Sequence, residues 1–520
     1  MITSLKENWL LLLISLALLS PVLSFPLGND HAIFLLGGDK LLDGGVLYQD
    51  FIDIKPPLIF YIYSVINQIF GYGDLPVRVF ELIWQFFTVI SLLIILNSHG
   101  FRRIEKIAAA IAYSVLYTGL DNDMSMQIET LAALPLIWAV HLTLKREGGL
   151  LQWLLIGMLL GIVTALKYTL GIALLALLAY DLLRIGMNWH FVRKYLTVCL
   201  AMIIAFLLGI IPLFNPQVWQ GYRHVLEFIA FYSSTVSGLI GQMRNGLKLS
   251  GGFFGDNFSL FFVFSYLLAL FSFFKGGSVK DKSKNNFIAL SLVMTFFLMI
   301  SIIVEGKYML YHFSRIYVFA TPIVALGIIR LIELTKNNYS SFDSTRKLIF
   351  FVLTVGAVLL SPLPRFGKEA MDAMKALKNI GHEISCEDEW NKTADEYTQM
   401  EAVASYLDDN YKSGNTFLFM GTGMSRLSTL PEMEFTSRFG HSQFYFSLWV
   451  PEPWQKGFVE ELKSVDWVIV QNNDRFPTIL GHSMSSEESL AASDHYEYFL
   501  ENFELKYSTN VFAVYKRTSE

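Results

Sequence analysis

The most regular feature of the chain is a series of long apolar stretches separated by short polar connections. A membrane-spanning helix needs about 20 mainly apolar residues, and windows of that size predict about eleven such helices. They cover residues 9–27, 76–98, 105–121, 125–144, 150–166, 168–185, 195–214, 257–274, 285–304, 314–333 and 346–362. The pattern therefore predicts a polytopic α-helical membrane protein.

The first apolar stretch is also compatible with a cleaved signal peptide, because it follows Lys6 and its strictly apolar centre is short. No small-x-small cleavage pattern ends it, and many further spans follow. We interpret residues 9–27 as a retained membrane anchor.

Lysine and arginine residues are concentrated on alternate connections between the predicted spans. These clusters are Lys6, Arg102 with Arg103 and Lys106, Lys145 with Arg146, Arg184 with Arg193 and Lys194, Lys275–Lys284, and Lys336 with Arg346 and Lys347. Basic residues accumulate on the cytoplasmic side of a membrane. The clusters therefore predict a cytoplasmic N-terminus and an extracytoplasmic C-terminus.

Two connections on the predicted outer side, 28–75 and 215–256, are long. In 30–45, apolar and charged residues alternate as in a helix that lies in the membrane interface. Segment 57–71 begins with proline and ends with glycine, as helices often do. It is short for a span, so we predict a second interfacial helix there.

From residue 363 the composition shifts towards acids, glycine, serine and turn residues. Glu401–Tyr411 is predicted as a helix, and Thr416–Met420, Trp467–Gln471 and Val511–Tyr515 as strands. The glycine-containing segment that begins at Gly421 lacks a phosphate-loop lysine, so we interpret it as a turn. We divide the chain into a membrane module, 1–362, and an extracytoplasmic α/β domain, 363–520.

The overall composition supports this assignment. The chain of 520 residues is 53% hydrophobic and 16% charged with a mean hydropathy of +0.44, whereas soluble domains carry about 25% charged residues. A net charge of -5 gives no reason to expect a nucleic-acid partner. Cys199 lies in an apolar stretch and Cys386 in the polar tail, which argues against a disulfide and excludes a thiolate metal site.

The first outer connection contains an unusual group of charged residues beside the membrane. Asp30 has the chemistry of a general base or a cation ligand, and equally that of a helix N-cap. His31 is more typical of a surface side chain than of a ligand. Asp50, Asp53 and Lys55 precede Pro56-Pro57. A lysine there suits a lipid phosphate, but a solvated turn with an extended lysine fits as well.

Further charged and aromatic residues fall at the predicted outer ends of other spans. Lys167 interrupts an apolar stretch, where a lysine favours a function over a hairpin tip. The remaining candidates are Asp121, Asp123, Glu129, Glu305, Lys307, Tyr308, Tyr311, His312 and Arg315. Their concentration on one side of the membrane is typical of an active site built by several helices.

These residues resemble a known family. Asp30, the segment KPPL that begins at Lys55, Gly71–Arg78 and the Gly161–Lys167 step are similar to GT-C glycosyltransferases that use lipid-linked sugars. The resemblance is to the bacterial branch related to protein O-mannosyltransferases and to the aminoarabinose transferase of lipid A. Many relatives have Asp-Glu where this chain has Asp30-His31. The resemblance implies a GT-C fold in the bacterial inner membrane.

The resemblance also implies roles for individual residues. Asp30 matches an acid that acts as base or metal-associated carboxylate, and we group Asp50, Asp53 and Glu129 with it as catalytic candidates. The predicted ligands of the donor phosphate are Lys55, Lys167, Arg78, Lys307 and Arg315. His31, Tyr48, Tyr308 and His312 are predicted to line the substrate site. A divalent cation, Mg or Mn, would use Asp30 and His31.

The function predicted from this resemblance is the transfer of a sugar from a polyprenyl-phosphate donor to a glycan, lipid or protein acceptor outside the membrane, with inversion. The alternative is a transporter or flippase of lipid-linked glycans, for which internal repeats and broken mid-membrane helices would be expected. Neither pattern is present in the sequence. A membrane scaffold that binds a partner would leave Lys55 and Lys167 without a role.

Overall fold

The computed structural model describes residues 9–145, 148–234, 248, 259–274, 281–306, 308–339, 344–378, 395–423, 425–441 and 443–518. The chain divides into two compact units. The first contains residues 1–25, 78–211 and 237–378, and the second contains residues 26–77, 212–236 and 379–520. Composition thus divides the chain at residue 362. Contacts divide it differently, because they group the first outer connection and the segment 212–236 with the tail.

Each predicted apolar stretch contains a helix. These helices are Trp9–Leu19 with the 3-10 turn Ser20–Ser24, Asp74–Ser98, Arg103–Thr118, Ile128–Leu144, Leu150–Leu166, Ala173–Ile185, Trp189–Gly209, Leu260–Phe274, Lys282–Glu305, Tyr317–Tyr339 and Ser344–Leu359. Leu363–Lys378 forms a further, amphipathic helix.

Within the described residues, five helices have the length and composition to cross a membrane: Asp74–Ser98, Tyr168–Ile185, Trp189–Gly209, Lys282–Glu305 and Leu310–Lys336. A sixth is counted if the helix pair Trp9–Ser24 and Asn29–Leu42 is one broken span. The polytopic helical architecture is confirmed, and the number of eleven spans stays a prediction.

Small residues allow two helices of the first unit to approach closely. A Cβ atom on Gly157 would lie 2.3 Å from the Val198 carbonyl oxygen, and one on Gly161 would lie 2.4 Å from the Met202 carbonyl oxygen. Only glycine therefore permits Leu150–Leu166 to pack against Trp189–Gly209 at this distance. This packing positions Lys167, which follows directly after the first of these helices.

The second unit contains a five-stranded sheet. Its strands are β1 (Thr416–Met420), β2 (Glu434–Phe435), β3 (Trp467–Gln471), β4 (Phe503–Ser508) and β5 (Phe512–Arg517). The order is β2-β1-β3-β5-β4, with β1 parallel to β2 and β3, and β5 antiparallel to β3 and β4. β3 is buried along its whole length, as expected of a central strand with helices around it.

Helices connect the strands of this sheet. They are Glu396–Asp409 before β1, Ser425–Thr429 (a 3-10 turn), Gln443–Phe446 and Glu452–Ser464 before β3, and Pro477–Leu480, Ser486–Ala491 and Tyr496–Asn502 before β4. The three predicted strands and the predicted helix at 401–411 are therefore present in the described residues, with shifted ends.

The first outer connection forms two helices, Asn29–Leu42 and Pro57–Phe70, that pack tightly on each other. A Cβ atom on Gly38 would lie 2.6 Å from the backbone nitrogen of Ser64, so glycine is required at this contact. The location of both helices in the membrane interface stays a prediction. Within the same unit, Ile52 pairs with Phe439 of the tail, which anchors the connection to the sheet domain.

Candidate functional site

Asp30 and Lys55 form an ion pair in the second unit. The Lys55 ammonium donates a hydrogen bond to Asp30 Oδ1 at 3.0 Å, and the two side chains are 22% and 23% exposed. The N-cap of helix Asn29–Leu42 is Gly28. Asp30 therefore does not cap this helix, and its carboxylate instead contacts the lysine of the KPPL segment.

Lys55 is held in place by contacts at its backbone and at its ammonium. Its backbone nitrogen donates to Asp53 Oδ1 at 2.8 Å, and its carbonyl oxygen accepts from the Tyr48 hydroxyl at 2.7 Å. Its ammonium lies 5.3 Å from the centroid of the Phe34 ring. Tyr48 is itself buried, has a φ of 66° and packs its ring on Tyr222. These contacts fix the direction in which the lysine points.

The other polar candidates in this connection bind the backbone. Asp53 is 3% exposed, and burial raises its pKa to about 6 although Lys55 opposes the shift. Asp50 accepts from the backbone nitrogen of Val46 at 2.7 Å and closes a turn. The interpretation of His31 as a surface side chain is wrong, because it is fully buried and accepts from the backbone nitrogen of Gly28 at 3.2 Å. These three side chains shape the connection, while Asp30 and Lys55 pair with each other.

His441 is a residue of this region that the sequence analysis missed. It follows Gly440, where a Cβ atom would lie 3.2 Å from the side chain of Ile33, one helical turn after Asp30. The imidazole interacts electrostatically with both Asp30 and Lys55, and burial lowers its pKa to about 4, so it is neutral near pH 7. Its Nδ1 atom is buried and has no hydrogen-bond partner among the described residues. Only the packing of the tail on helix Asn29–Leu42 reveals it.

The first unit brings together a second group of predicted residues, at the ends of several helices. Lys167 lies 2.5 Å from Glu129 Oε1 and 2.9 Å from Glu305 Oε2. Arg315 is fully buried and lies 2.8 Å from one oxygen of each glutamate. His312 lies 3.6 Å from Glu305 and 3.8 Å from Glu129. We call these five residues the glutamate–arginine cluster.

The ligand atoms of Glu129, Glu305 and His312 lie within 4.8 Å of one another, a spacing that suits a metal ion. Lys167 and Arg315, however, already neutralise the two carboxylates. A divalent cation would add two charges to a balanced, buried group and would have to displace a cation. In the arrangement seen here both glutamates and Asp30 are already paired with cations, and the divalent cation predicted at Asp30 and His31 stays a prediction.

The remaining predicted residues have different surroundings. Arg78 is fully buried and binds Glu81 at 2.6 Å, Ser125 at 3.0 Å and the carbonyl oxygens of Phe25 and Asn122, which is the environment of a structural arginine. Tyr308 is partly buried, and it follows Glu305 of the glutamate–arginine cluster by three positions in the sequence. Lys307 lies outside the described residues.

A large apolar cavity is present in the first unit. Its volume is about 1470 Å³, and its walls come from the helices Arg103–Thr118, Leu260–Phe274, Tyr317–Tyr339 and Ser344–Leu359. Apart from Lys336, its lining carries no charged side chain. A hydrocarbon chain has the chemistry that such walls accommodate.

A family model matches part of the chain. Residues 54–213 match the model of a family described as dolichyl-phosphate-mannose-protein mannosyltransferase. A search of curated protein sequences finds no significant match.

Two solved structures have a similar fold. ArnT from Cupriavidus metallidurans bound to undecaprenyl phosphate matches with a TM-score of 0.52 at 11% identity over 99% of both chains. The same protein in the apo state matches with a TM-score of 0.54 at 11% identity over 98% of both chains. The resemblance to GT-C glycosyltransferases of the ArnT and protein O-mannosyltransferase type, predicted from Asp30 and the KPPL segment, is confirmed.

Proposed function

We propose that this protein is a membrane glycosyltransferase that transfers a sugar from a polyprenyl-phosphate donor to an acceptor on the extracytoplasmic side of a bacterial inner membrane, with inversion. The family match and the GT-C fold support the general class. ArnT binds undecaprenyl phosphate, and the apolar cavity of the first unit is compatible with a lipid-linked donor. The acceptor in this proposal is a glycan, a lipid or a protein.

The observation that carries the proposal is the Asp30–Lys55 ion pair. It places a carboxylate, the chemistry of a base, 3.0 Å from an ammonium, the chemistry of a phosphate ligand. Both groups keep part of their surface exposed, while the residues around them are buried. A substrate is therefore able to approach this pair without unfolding its surroundings.

The transfer proceeds in one displacement. Asp30 accepts the proton of the acceptor hydroxyl or amine as the acceptor atom forms a bond with the anomeric carbon. The bond between that carbon and the phosphate oxygen breaks, and its electron pair leaves with the polyprenyl phosphate. Lys55 stabilises the negative charge that develops on this leaving group. Its ammonium has three donors, so it binds the phosphate without releasing Asp30.

His441 and Asp53 complete the site in this proposal. The neutral imidazole of His441 offers one donor and one acceptor to a sugar hydroxyl beside the ion pair. Asp53, through the backbone nitrogen of Lys55, fixes the position of the lysine. The glutamate–arginine cluster holds the helix ends of the first unit, and the predicted contact of Lys167 with the donor phosphate stays a prediction. No metal takes part in the steps described.

The test is sugar transfer in vesicles that contain the purified protein and a polyprenyl-phosphate sugar. Asp30→Asn removes the base at constant size, and Lys55→Met removes the ammonium while keeping the apolar stem. We expect each variant to lose at least about 100-fold in rate. Rates measured in the presence of several donor sugars identify the sugar at the same time.

Lys40→Met is the matched control, because Lys40 belongs to the same unit and forms a more distant pair with Glu434 at 3.8 Å. We expect its transfer rate to stay within about twofold, since exposed pairs contribute little. Normal transfer by both site variants would refute the assignment of this site, and accumulation of flipped donor without transfer would favour the transporter.

A further inference from the structure

A second polar cavity lies at the opposite end of helix Ile128–Leu144 from the glutamate–arginine cluster. Glu129 is in the first turn of this helix and His141 in the last. At 1.5 Å per residue the two are about 18 Å apart. The cavity has a volume of about 290 Å³, and its polar lining consists of Ser98, His99, His141, Lys145, Ser283 and Asn286. The basic clusters predict that this end faces the cytoplasm.

Two buried histidines form one wall of the cavity. His99 and His141 are each 5% exposed, and His99 Nε2 lies 3.2 Å from His141 Nδ1. On its other side, His99 Nδ1 lies 2.9 Å from the Ser283 hydroxyl. Burial lowers the pKa of His99 to about 4, with Lys145 adding to the effect and Asp281 opposing it. His99 is therefore neutral near pH 7.

The hydrogen-bond chain from Ser283 through His99 to His141 allows two arrangements of its protons. If Ser283 donates to His99, then His99 donates to His141, and the proton of His141 is on Nε2. If every bond is reversed, His141 Nε2 carries a lone pair instead. Because the two arrangements differ only in proton positions, a ligand that needs a donor selects the first. The pair thus supplies a donor without having to become charged.

The charge around the cavity favours an anion. Lys145 is the one charged residue in its lining. The nearby carboxylate of Asp281 caps helix Lys282–Glu305, since it accepts from the backbone nitrogens of Ser283 and Lys284. Glu105, the other acid close to this helix start, binds Lys284 at 2.6 Å. Neither acid lines the cavity, and each has its own partners, so Asp281 acts on His99 only through its charge.

We propose that this cavity binds a phosphate ester, with Lys145 as the charge partner, Asn286 and the histidine pair as hydrogen-bond donors, and Ser283 as the residue that orients the pair. The volume accommodates a small phosphorylated headgroup. A phosphate ester at a membrane surface comes either from an anionic phospholipid or from a soluble metabolite, and both present the same group to the cavity. Basic pockets between spans on the cytoplasmic side are suited to lipid headgroups. The site is independent of the transfer reaction proposed above.

The experiment measures the thermal unfolding midpoint of the full-length protein in a neutral detergent. Phosphatidylglycerol is added in one arm and glycerol 3-phosphate in the other, each with a matched uncharged diacylglycerol or glycerol control. A ligand that binds only the folded protein raises the midpoint, and we expect a rise of roughly 3 °C at saturation. A rise with the lipid alone identifies a lipid headgroup, and a rise in both arms identifies the phosphate ester itself.

Variants link the effect to this cavity. Lys145→Gln should abolish the rise, and Asn286→Leu should reduce it by removing a donor. Lys282→Gln is the matched control, because Lys282 is an exposed lysine at the same helix start that does not line the cavity, and it should retain the full rise. No rise in the wild type, or an equal loss in Lys282→Gln, would overturn the proposal.

Discussion

The Asp30–Lys55 pair and the glutamate–arginine cluster both contain paired acids and bases, but they differ in the number of partners and in burial. The pair consists of one acid and one base, each about a fifth exposed. The cluster consists of two acids and two bases with a histidine between them, and Arg315 at its centre is fully buried. The charges of the cluster are therefore balanced and mostly buried, with Lys167 alone about a fifth exposed, whereas both members of the pair keep open surface.

This difference indicates different roles for similar residues. A buried, balanced network resists any change of partner, because removing one charge leaves another without compensation in a medium of low polarity. A pair with about a fifth of each side chain exposed accepts a further partner at smaller cost, because solvent reaches both charges and the ammonium has three donors. Transfer requires contact with substrate, so our proposal gives transfer to the pair and the stabilisation of helix ends to the cluster.

The comparison predicts its largest effect for Asp30→Asn. Loss of the base should lower the transfer rate by about 10²–10⁴-fold, while the unfolding midpoint stays near that of the wild type. Initial rates in vesicles and thermal unfolding in detergent measure the two quantities. Asp39→Asn, on the same helix, is the control. A large fall in the unfolding midpoint of Asp30→Asn with an unchanged transfer rate would show that Asp30 stabilises the fold and takes no part in transfer.

Arg315→Met should mainly affect stability. Removal of one member of a buried ion network costs about 3–5 kcal/mol, because Glu129 and Glu305 then share Lys167 alone. Chemical denaturation in detergent measures the loss. Arg330→Met, which breaks a 3.9 Å pair of half-exposed side chains, should cost under about 1 kcal/mol. If Arg315→Met is fully stable and loses transfer, the cluster belongs to the catalytic site.

Asp53→Asn should change how stability depends on pH. The pKa of Asp53 is raised to about 6 in the folded protein, so its contribution to stability is present below about pH 4 and is lost as the pH rises through 6. Above pH 7 the variant should be more stable than the wild type by on the order of 1–3 kcal/mol. Unfolding midpoints from pH 4 to 8 measure this difference. A constant difference across that range would contradict it.

His441→Ala should have the smallest effect, a rise in KM for the donor of about tenfold with little change in kcat, as for the loss of one hydrogen bond. His441→Asn, which keeps a donor and an acceptor, should recover part of the loss. Steady-state kinetics with both variants separate the two parameters. An unchanged KM in His441→Ala would remove this residue from the proposed site.

Much of the architecture follows from local patterns in the sequence. Each apolar stretch contains a helix because length and hydropathy leave no other structure for such a segment in a membrane. The strands at Thr416–Met420 and Trp467–Gln471 follow from their short apolar runs. Asp30 and Lys55 were predicted from a motif, since the KPPL segment is specific even without knowledge of its contacts.

The partners of these residues depended on tertiary structure. No local pattern relates Asp30 to Lys55, which is 25 positions away, or to His441 in the tail. The sequence leaves Asp30 as either a helix cap or a base. The two roles differ only in the direction of its carboxylate, and helix Asn29–Leu42 would form with either. Likewise, the sequence predicts Lys167 and Arg315 as phosphate ligands, and only the fold shows that Glu129 and Glu305 lie beside both of them; the phosphate contacts stay predictions.

The sequence by itself thus determined the membrane class, the secondary structure and the family resemblance, because each depends on residues close together along the chain. Only the tertiary structure decided which charges are neutralised and which keep open surface. That decision arises from packing between distant segments, such as Gly440 on Ile33, where burial and the choice of ion partner are set together.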